Sequence, residues 1–306
     1  MTDDVIHIVL TCDDRYVQHA AVTIVSVVKN TKRKVHFYVF DCGILPENLE
    51  RLKRLDVGAN VLEVVQVQKI EAFENYKYPR QYSPAIMYRL AIPKILPHLD
   101  KALYLDSDVI AVRDIGLIWD IDLGDKMLAG GDALDRYDDQ FADVEFGFCC
   151  GKVYFFTSVL LMNLKKMREW HFFEKVIETV KHAPWNSLPD QSILYLLLED
   201  CHWKILNRSF FTFMTLERSI FPSVCYHCTY KPWLFPEVVI RFLPGMFCCI
   251  MYKYYKYLKF TPWADCKNKY VDLQAAVKIL IRRLLRRDQI LSMGYFQSII
   301  EEIKKA

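Results

Sequence analysis

A chain of 306 residues that is 53% hydrophobic carries ample apolar surface for a sizeable core, which excludes disorder for the bulk of the molecule. Lys and Arg number 40 against 37 Asp and Glu, and the resulting net charge of +3 is too weak to argue for a nucleic-acid partner. Ten cysteines lack regular spacing, and the amino terminus (MTDDVIHIVLTCDDRY) has no basic segment followed by a long apolar run; together these predict a reduced, intracellular compartment and no signal peptide.

Val5 to Leu10 (VIHIVL) reads as a strand ending at TCDDRY, and HAAVTIVSVVKNT follows with apolar residues at helical spacing. Val35 to Phe40 is a second strand, LPENLERLKRL a helix of mixed charge, and Val61 to Val67 a third strand. This alternation predicts a parallel sheet covered on both faces, and such sheets bind ligands beyond the carboxyl ends of their strands. Ser83 to Leu96 reads as one helix carrying Arg89. Ala102 to Leu105 is a strand that runs into Asp106 and Asp108. Because Thr11, Cys12, Asp13 and Asp14 follow the first strand, the two acidic clusters are expected to converge on one edge and mark a site.

Further along, KMLAGGDAL is a strand running into glycines and Asp132, and VYFFTSVLLMNLKKMREW is an apolar strand passing into a basic helix. LPDQSILYLLLED is a helix with Pro189 and Asp190 at its start. Cys225 and Cys228 form one CxxC, but a closed zinc site needs about four ligands and no second CxxC exists. VVIRFLPGMFCCIM is broken by Arg241, Pro244 and Gly245 and is too short to span a membrane.

From about Val238 the composition turns aromatic and basic, so a catalytic region over 1–237 and an appendage over 238–306 are expected. In the appendage, MYKYYKYLKF offers tyrosines and lysines of the kind found at lipid interfaces. Val277, Leu280, Ile281, Leu284 and Leu285 then form an apolar stripe beside Lys278, Arg282, Arg283, Arg286 and Arg287. That amphipathic basic helix either docks peripherally on anionic membrane or packs its stripe onto the catalytic region and exposes a solvated face.

Two carboxylates one residue apart at the end of KALYLDSD are costly to bury unless something positive neutralises them. An Asp-x-Asp offers oxygen ligands to a hard cation such as Mn²⁺ or Mg²⁺, which would neutralise a diphosphate leaving group. The alternative is that Asp106 caps a turn and Asp108 is merely exposed. No P-loop, GxGxxG or GxSxG is present, so phosphate recognition must rest on metal and side chains.

The order IVLTCDDRY, MYRLAIPKIL, KALYLDSDVIAVRDI, LAGGDA, VLLMNLKKMREW, LPDQSILY, HCTYKPW resembles glycosyltransferase family 8, the group of bacterial lipopolysaccharide galactosyl- and glucosyltransferases and of glycogenin. The resemblance runs from about Val5 to Trp233. It implies an α/β fold of the A-type glycosyltransferase kind, with a Rossmann-like nucleotide-diphospho-sugar domain and a carboxyl-terminal helical appendage. It also implies a UDP-hexose donor, a saccharide or glycolipid acceptor, Mn²⁺ or Mg²⁺, and transfer with retention of configuration. Residue by residue, Asp106 and Asp108 resemble the metal-binding pair, His227 the imidazole that completes the protein ligands, and Lys231 the lysine on the donor diphosphate. Asp13 and Tyr16 resemble the uracil-binding residues, Arg89 an arginine on donor phosphate or sugar, and Asp132 the carboxylate on the sugar hydroxyls. Asp190 and Gln191 resemble the catalytic pair near the anomeric carbon, although Asp190 also reads as a helix amino-terminal residue.

Departures from the family pattern bear on the donor pocket. Arg15 stands where the family has Asn after the paired aspartates, and Phe156, Thr157 and Ser158 replace its N-S-G. Tyr195 ends its DQxxLN, and the loop from His227 to Lys231 is short. A retaining hexosyltransferase making lipopolysaccharide or another cell-surface glycan at the cytoplasmic membrane face is therefore expected, with a catalytically impaired UDP-sugar-binding protein as the alternative. A nucleotidyltransferase would require a glycine-rich phosphate loop that the chain lacks.

Overall fold

The computed structural model describes residues 5–79, 82–132, 155–183, 189–198, 202–207, 209–213, 223–228, 231–234 and 245–265. Strand β1 (Ile6–Cys12) and helix α1 (Val17–Asn30) are followed by β2 (Val35–Asp41), α2 (Pro46–Lys53), β3 (Val61–Gln66) and the short α3 (Glu71–Glu74). Pro84–Ala91 is a 3₁₀-helix, not part of one α-helix as its periodicity predicts. Pro93 explains the difference: it lacks the N–H that an α-helix through Arg89 would need, and a new short helix, α4 (Ile92–Ile95), starts there.

Strands β4 (Lys101–Leu105) and β5 (Val109–Ala111) flank the DSD turn, and α5 (Gly116–Trp119) follows. Then come β6 (Leu128–Asp132), β7 (Phe155–Asn163), α6 (Leu164–Glu169), α7 (Phe172–His182) and α8 (Pro189–Leu197). The described chain ends with β8 (Trp203–Leu206), β9 (Phe211–Phe213), β10 (Cys225–His227), a 3₁₀ turn at Pro232–Leu234 and α9 (Gly245–Leu258).

Among the described residues the main sheet has seven strands in the order β3-β2-β1-β4-β7-β6-β8. Strands β1, β2 and β3 are parallel as their β-α-β alternation predicts and β4 joins them in the same sense, whereas β7 runs antiparallel to both β4 and β6 and makes the sheet mixed. Because successive side chains alternate faces, Ile6, Ile8, Leu10 and Cys12 of β1 join one core with α1 and α9, while Val9 joins the other with the 3₁₀-helix, α6, α7 and α8. Both cores are apolar, which is why β1 reads as a near-continuous apolar run. Helix α1, buried from Val17 through Val27 apart from Gln18, is covered on its far side by α9 and β5.

A second sheet, β5-β10-β9, ties residues 109–111 to 225–227. Gly131 sits just past a register irregularity in β6, and an added Cβ there would run into the buried Phe211 ring of β9, so the missing side chain makes room for this approach.

Helix α9 corrects one expectation. Tyr254, Tyr255 and Tyr257, read from sequence as lipid-interface residues, are buried in the core under α1, while Tyr252, Lys256, Lys259 and Phe260 remain exposed. Among the described residues no helix is long and apolar enough to cross a membrane. The predicted basic helix over 277–287 lies outside the described residues.

Candidate active site

Strand order reverses at β1: β2 and β3 lie to one side and β4 to the other, so the carboxyl ends of β1 and β4 open onto one crevice. There a cleft of about 270 Å³ is lined by Asp13, Tyr16, Arg89, Asp106, Asp108, Asp190, Gln191, His227 and Lys231, along with Tyr82, Phe156, Thr157 and Ser158. The two acidic clusters thus meet as their strand positions predict. Asp14 is the exception: it faces away and accepts hydrogen bonds from the Leu45 backbone N–H (2.9 Å) and Asn48 Nδ2 (2.8 Å), securing the start of α2. Asp132 closes β6, and its side chain lies outside the described residues.

The DSD turn is pinned on several sides. Asp106 N donates to Ser158 O (2.8 Å), Ser107 Oγ to Thr11 O (3.3 Å), Thr23 Oγ1 to Ser107 O (2.9 Å) and Cys228 N to Asp108 O (3.0 Å). Fixed this way, Asp106, Asp108 and His227 present ligand atoms all within 4.8 Å of one another. His227 Nε2 lies 3.1 Å from Asp108 Oδ1 and 3.9 Å from Asp106 Oδ2. Asp108 Oδ1 is buried with His227 Nε2 beside it, so oxygen and nitrogen atoms converge as metal ligands do. Two carboxylates and an imidazole fit a hard divalent ion.

Lys231 Nζ pairs with the other oxygen, Asp108 Oδ2. Burial disfavours ionisation of Asp108, but Lys231 and His227 outweigh it and hold the carboxyl well below the usual range. For Lys231, burial likewise opposes the charge, and Asp108 overcomes it and raises the ammonium. Both groups are therefore ionised at neutral pH.

Arg89 is buried at 4% exposure and serves two carboxylates: Asp106 at 2.8 Å and Asp190 at 3.1 Å. Its Nη1 also donates to Thr157 O (2.9 Å) and Oγ1 (3.1 Å), and the Thr157 hydroxyl donates to Asp190 Oδ2 (2.6 Å). Burial pushes the Asp190 carboxyl up, an effect that Arg89 and Thr157 only partly offset. Gln191 follows on α8, and its buried Nε2 lacks a hydrogen-bond partner among the described residues. Asp13 pairs with Arg15 (2.9 Å), the residue that departs from the family pattern. Cys225 and Cys228 are buried free thiols.

The sequence profile of glycosyl transferase family 8 matches residues 7–235, which span every ligand and cationic group of this cleft. The chain belongs to glycosyl transferase family 8. It is 27% identical over 206 residues to general stress protein A of Bacillus subtilis (strain 168), covering 65% of this chain and 71% of that one. To the glycosyltransferase GlyF of Streptococcus pneumoniae serotype 4 it is 30% identical over 207 residues, covering 66% of this chain and 48% of the relative. A crystal structure of an active-site mutant of LgtC superposes with a TM-score of 0.65 at 26% identity, covering 74% of this chain and 89% of that chain. A galactosyltransferase LgtC complex with donor and acceptor sugar analogues gives 0.68 at 24% identity, covering 85% and 99%, and shares the fold. This glycosyltransferase thus has the A-type fold that its motifs imply.

Sequence reasoning missed some of the residues that build this family 8 site. Tyr104 donates to Asp106 Oδ1 (2.7 Å) and lies under the Arg89 guanidinium at 4.5 Å, two residues before the aspartate on the same face of β4. Period-two alternation could have found it. Thr157 enters the sequence reading only as part of the departure from N-S-G, and His19 is not singled out there.

Proposed function

We propose that the protein is a metal-dependent, retaining hexosyltransferase that moves glucose or galactose from a UDP-sugar to a saccharide or glycolipid acceptor in cell-surface glycan synthesis, lipopolysaccharide included. The observation that carries this reading is the meeting of Asp106, Asp108 and His227 with Lys231 in one cleft. In it Asp106, Asp108 and His227 hold Mn²⁺ or Mg²⁺, which when bound supplies Lewis-acid neutralisation of a diphosphate. Lys231 adds a point charge to the same oxygens. Asp13 and Tyr16 take the uracil, Tyr16 by stacking. Arg89 and Asp132 are the residues assigned to the donor's phosphate and sugar hydroxyls, on the family resemblance alone.

Asp190 and Gln191 lie at the anomeric carbon. Asp190 is engaged by Arg89 and Thr157, and an amide such as Gln191 is a poor nucleophile, so the arrangement supports front-face departure of UDP over a covalent glycosyl intermediate. Gln191 Nε2 then donates to the donor or acceptor.

A cytoplasmic location with peripheral contact to anionic membrane belongs to the same reading. Lys256, Lys259 and Phe260 are exposed, and Lys29 Nζ stands 4.5 Å over the Phe260 ring. Basic residues of this kind are worth about 1 kcal/mol each near an anionic surface, and the sequence carries five more over 277–287. Sedimentation with anionic and neutral liposomes tests it: anionic-selective binding, weakened by salt and lost when Arg282, Arg283, Arg286 and Arg287 become Gln, is expected.

Phe156, which lines the cleft at 3% exposure, favours the second reading, a UDP-sugar-binding protein of impaired activity. Incubation with UDP-glucose or UDP-galactose and Mn²⁺, measuring UDP release with and without acceptor, separates the two. Metal-dependent release is expected from the transferase, whereas binding without release under every donor and acceptor leaves only the second.

A further inference from the structure

Helix α9 lies beyond the family-matched region, yet it grips the turn that carries Lys231. Tyr255 Oη donates to the carbonyl of Pro232 (3.2 Å), the residue next to Lys231. One residue further, the Trp233 indole stacks on the His19 imidazole of α1, with centroids 3.5 Å apart and planes 14° from parallel. Tyr254 Oη in turn meets His19 Nδ1 at 2.6 Å and accepts from Gln18 Nε2 (3.4 Å). The Tyr254 hydroxyl thus bridges Gln18 and His19. Tyr254 is packed 5.4 Å from the Trp233 ring as well. All of these groups except Gln18 are buried.

The clamp closes on both ends of the proposed donor site. The Trp233 ring sits 5.7 Å from Lys231 Nζ. Tyr16 contacts the same stack edge-on, 5.5 Å from His19 and 6.0 Å from Trp233. A lysine on a flexible four-carbon stem loses several rotamers on binding an anion, so a support that pre-sets its backbone and ring contacts lowers that entropic cost. On the side of Lys231 that follows it in the chain, α9 supplies this support through Tyr255.

We propose that Tyr255 and Tyr254 of α9 are positioning residues for the donor diphosphate, acting through Pro232 and the His19–Trp233 stack to hold Lys231 in place. This rests on the assignment of Lys231 to the diphosphate, and it makes the carboxyl-terminal helix part of the donor site instead of an appendage.

A double-mutant cycle on the full-length protein tests it, with calorimetry of UDP binding in Mn²⁺ as the readout and thermal unfolding of each variant alongside. Tyr255→Phe removes one hydroxyl without opening a cavity and is expected to weaken UDP by about fivefold, the factor one hydrogen bond carries. In a Lys231→Ala background the same change is expected to cost less than about twofold, because the lysine it positions is gone. A purely structural role for Tyr255 would shift the unfolding temperature equally in both backgrounds and leave UDP affinity unchanged in each, and that result overturns the proposal. So does an equal loss of UDP affinity in both backgrounds. Tyr254→Phe carries the same cycle through His19 should Tyr255→Phe fold poorly. If Lys231→Ala alone leaves UDP affinity unchanged, the diphosphate assignment itself falls and takes the proposal with it; if Lys231→Ala weakens UDP while neither tyrosine variant does, only the proposal falls.

Discussion

Arg89 Nη2 lies 2.8 Å from Asp106 while its Nη1 reaches Asp190, so one buried guanidinium links a proposed metal ligand to a proposed catalytic carboxylate. Burial opposes the charge on Arg89, but Asp106 and Asp190 outweigh it and raise its affinity for the proton. The cation is thus a structural fixture of the cleft.

Removing it leaves two carboxylates uncompensated. Arg89→Met is expected to destabilise the fold by about 3 to 5 kcal/mol, the usual cost of breaking a buried pair from one side. Arg89→Lys restores charge but not the fork, and its loss should be smaller. Urea unfolding measures both, and a loss under about 1 kcal/mol for the Met variant would contradict the bridging role.

The metal assignment is tested at Asp108. Asp108→Ala is expected to abolish Mn²⁺-dependent UDP binding in calorimetry, since it removes the most buried of the three ligands. Undiminished binding would sink the assignment.

Phe156 supplies an apolar wall where the family has an amide. An apolar wall rejects a misplaced hydroxyl far less than a hydrogen-bonding group selects a correct one. Discrimination between gluco and galacto donors is therefore expected to be loose, and Phe156→Asn should sharpen it in the ratio of kcat/KM values. A native preference of about a thousandfold would count against this.

His19 predicts an acid limb in stability. Burial pushes its imidazole down to about 3, from an ordinary value of 6.5. Between those values the unfolded chain takes up a proton that the folded one refuses. Stability is complete above the ordinary value and falls as pH drops toward about 3, by at most about 1.4 kcal/mol per pH unit from this group. Urea midpoints at pH 7 and pH 5 for the native chain and for His19→Asn, which cannot titrate, should differ in that slope; equal slopes would refute it.

What the sequence revealed follows from how local each signal is. The β1-α1-β2-α2-β3 run and the DSD turn rest on period-two and period-3.6 patterns, which are written within a few residues. The antiparallel insertion of β7 between β4 and β6 depends on pairing across the chain, and no local pattern carries it. Likewise MYKYYKYLKF has the composition of an interface segment, but composition does not say which face α1 will cover. Thr157 and Tyr104 escaped because their roles exist only once β4, β7 and α8 are side by side.

The pairing of β10 with β5 has a consequence for how the protein is made. Lys231 and Asp108 stand 123 residues apart, and His227 reaches the DSD turn only when that long loop closes. The entropy of such closure is met late, after the β3-β2-β1 ribbon with its short crossovers has formed. During synthesis, the aspartates of the turn leave the ribosome well before His227 and Lys231 exist to join them. A refolding chain should accordingly recover its far-ultraviolet circular dichroism first and its capacity for Mn²⁺-dependent UDP binding afterwards, in a separable slower phase.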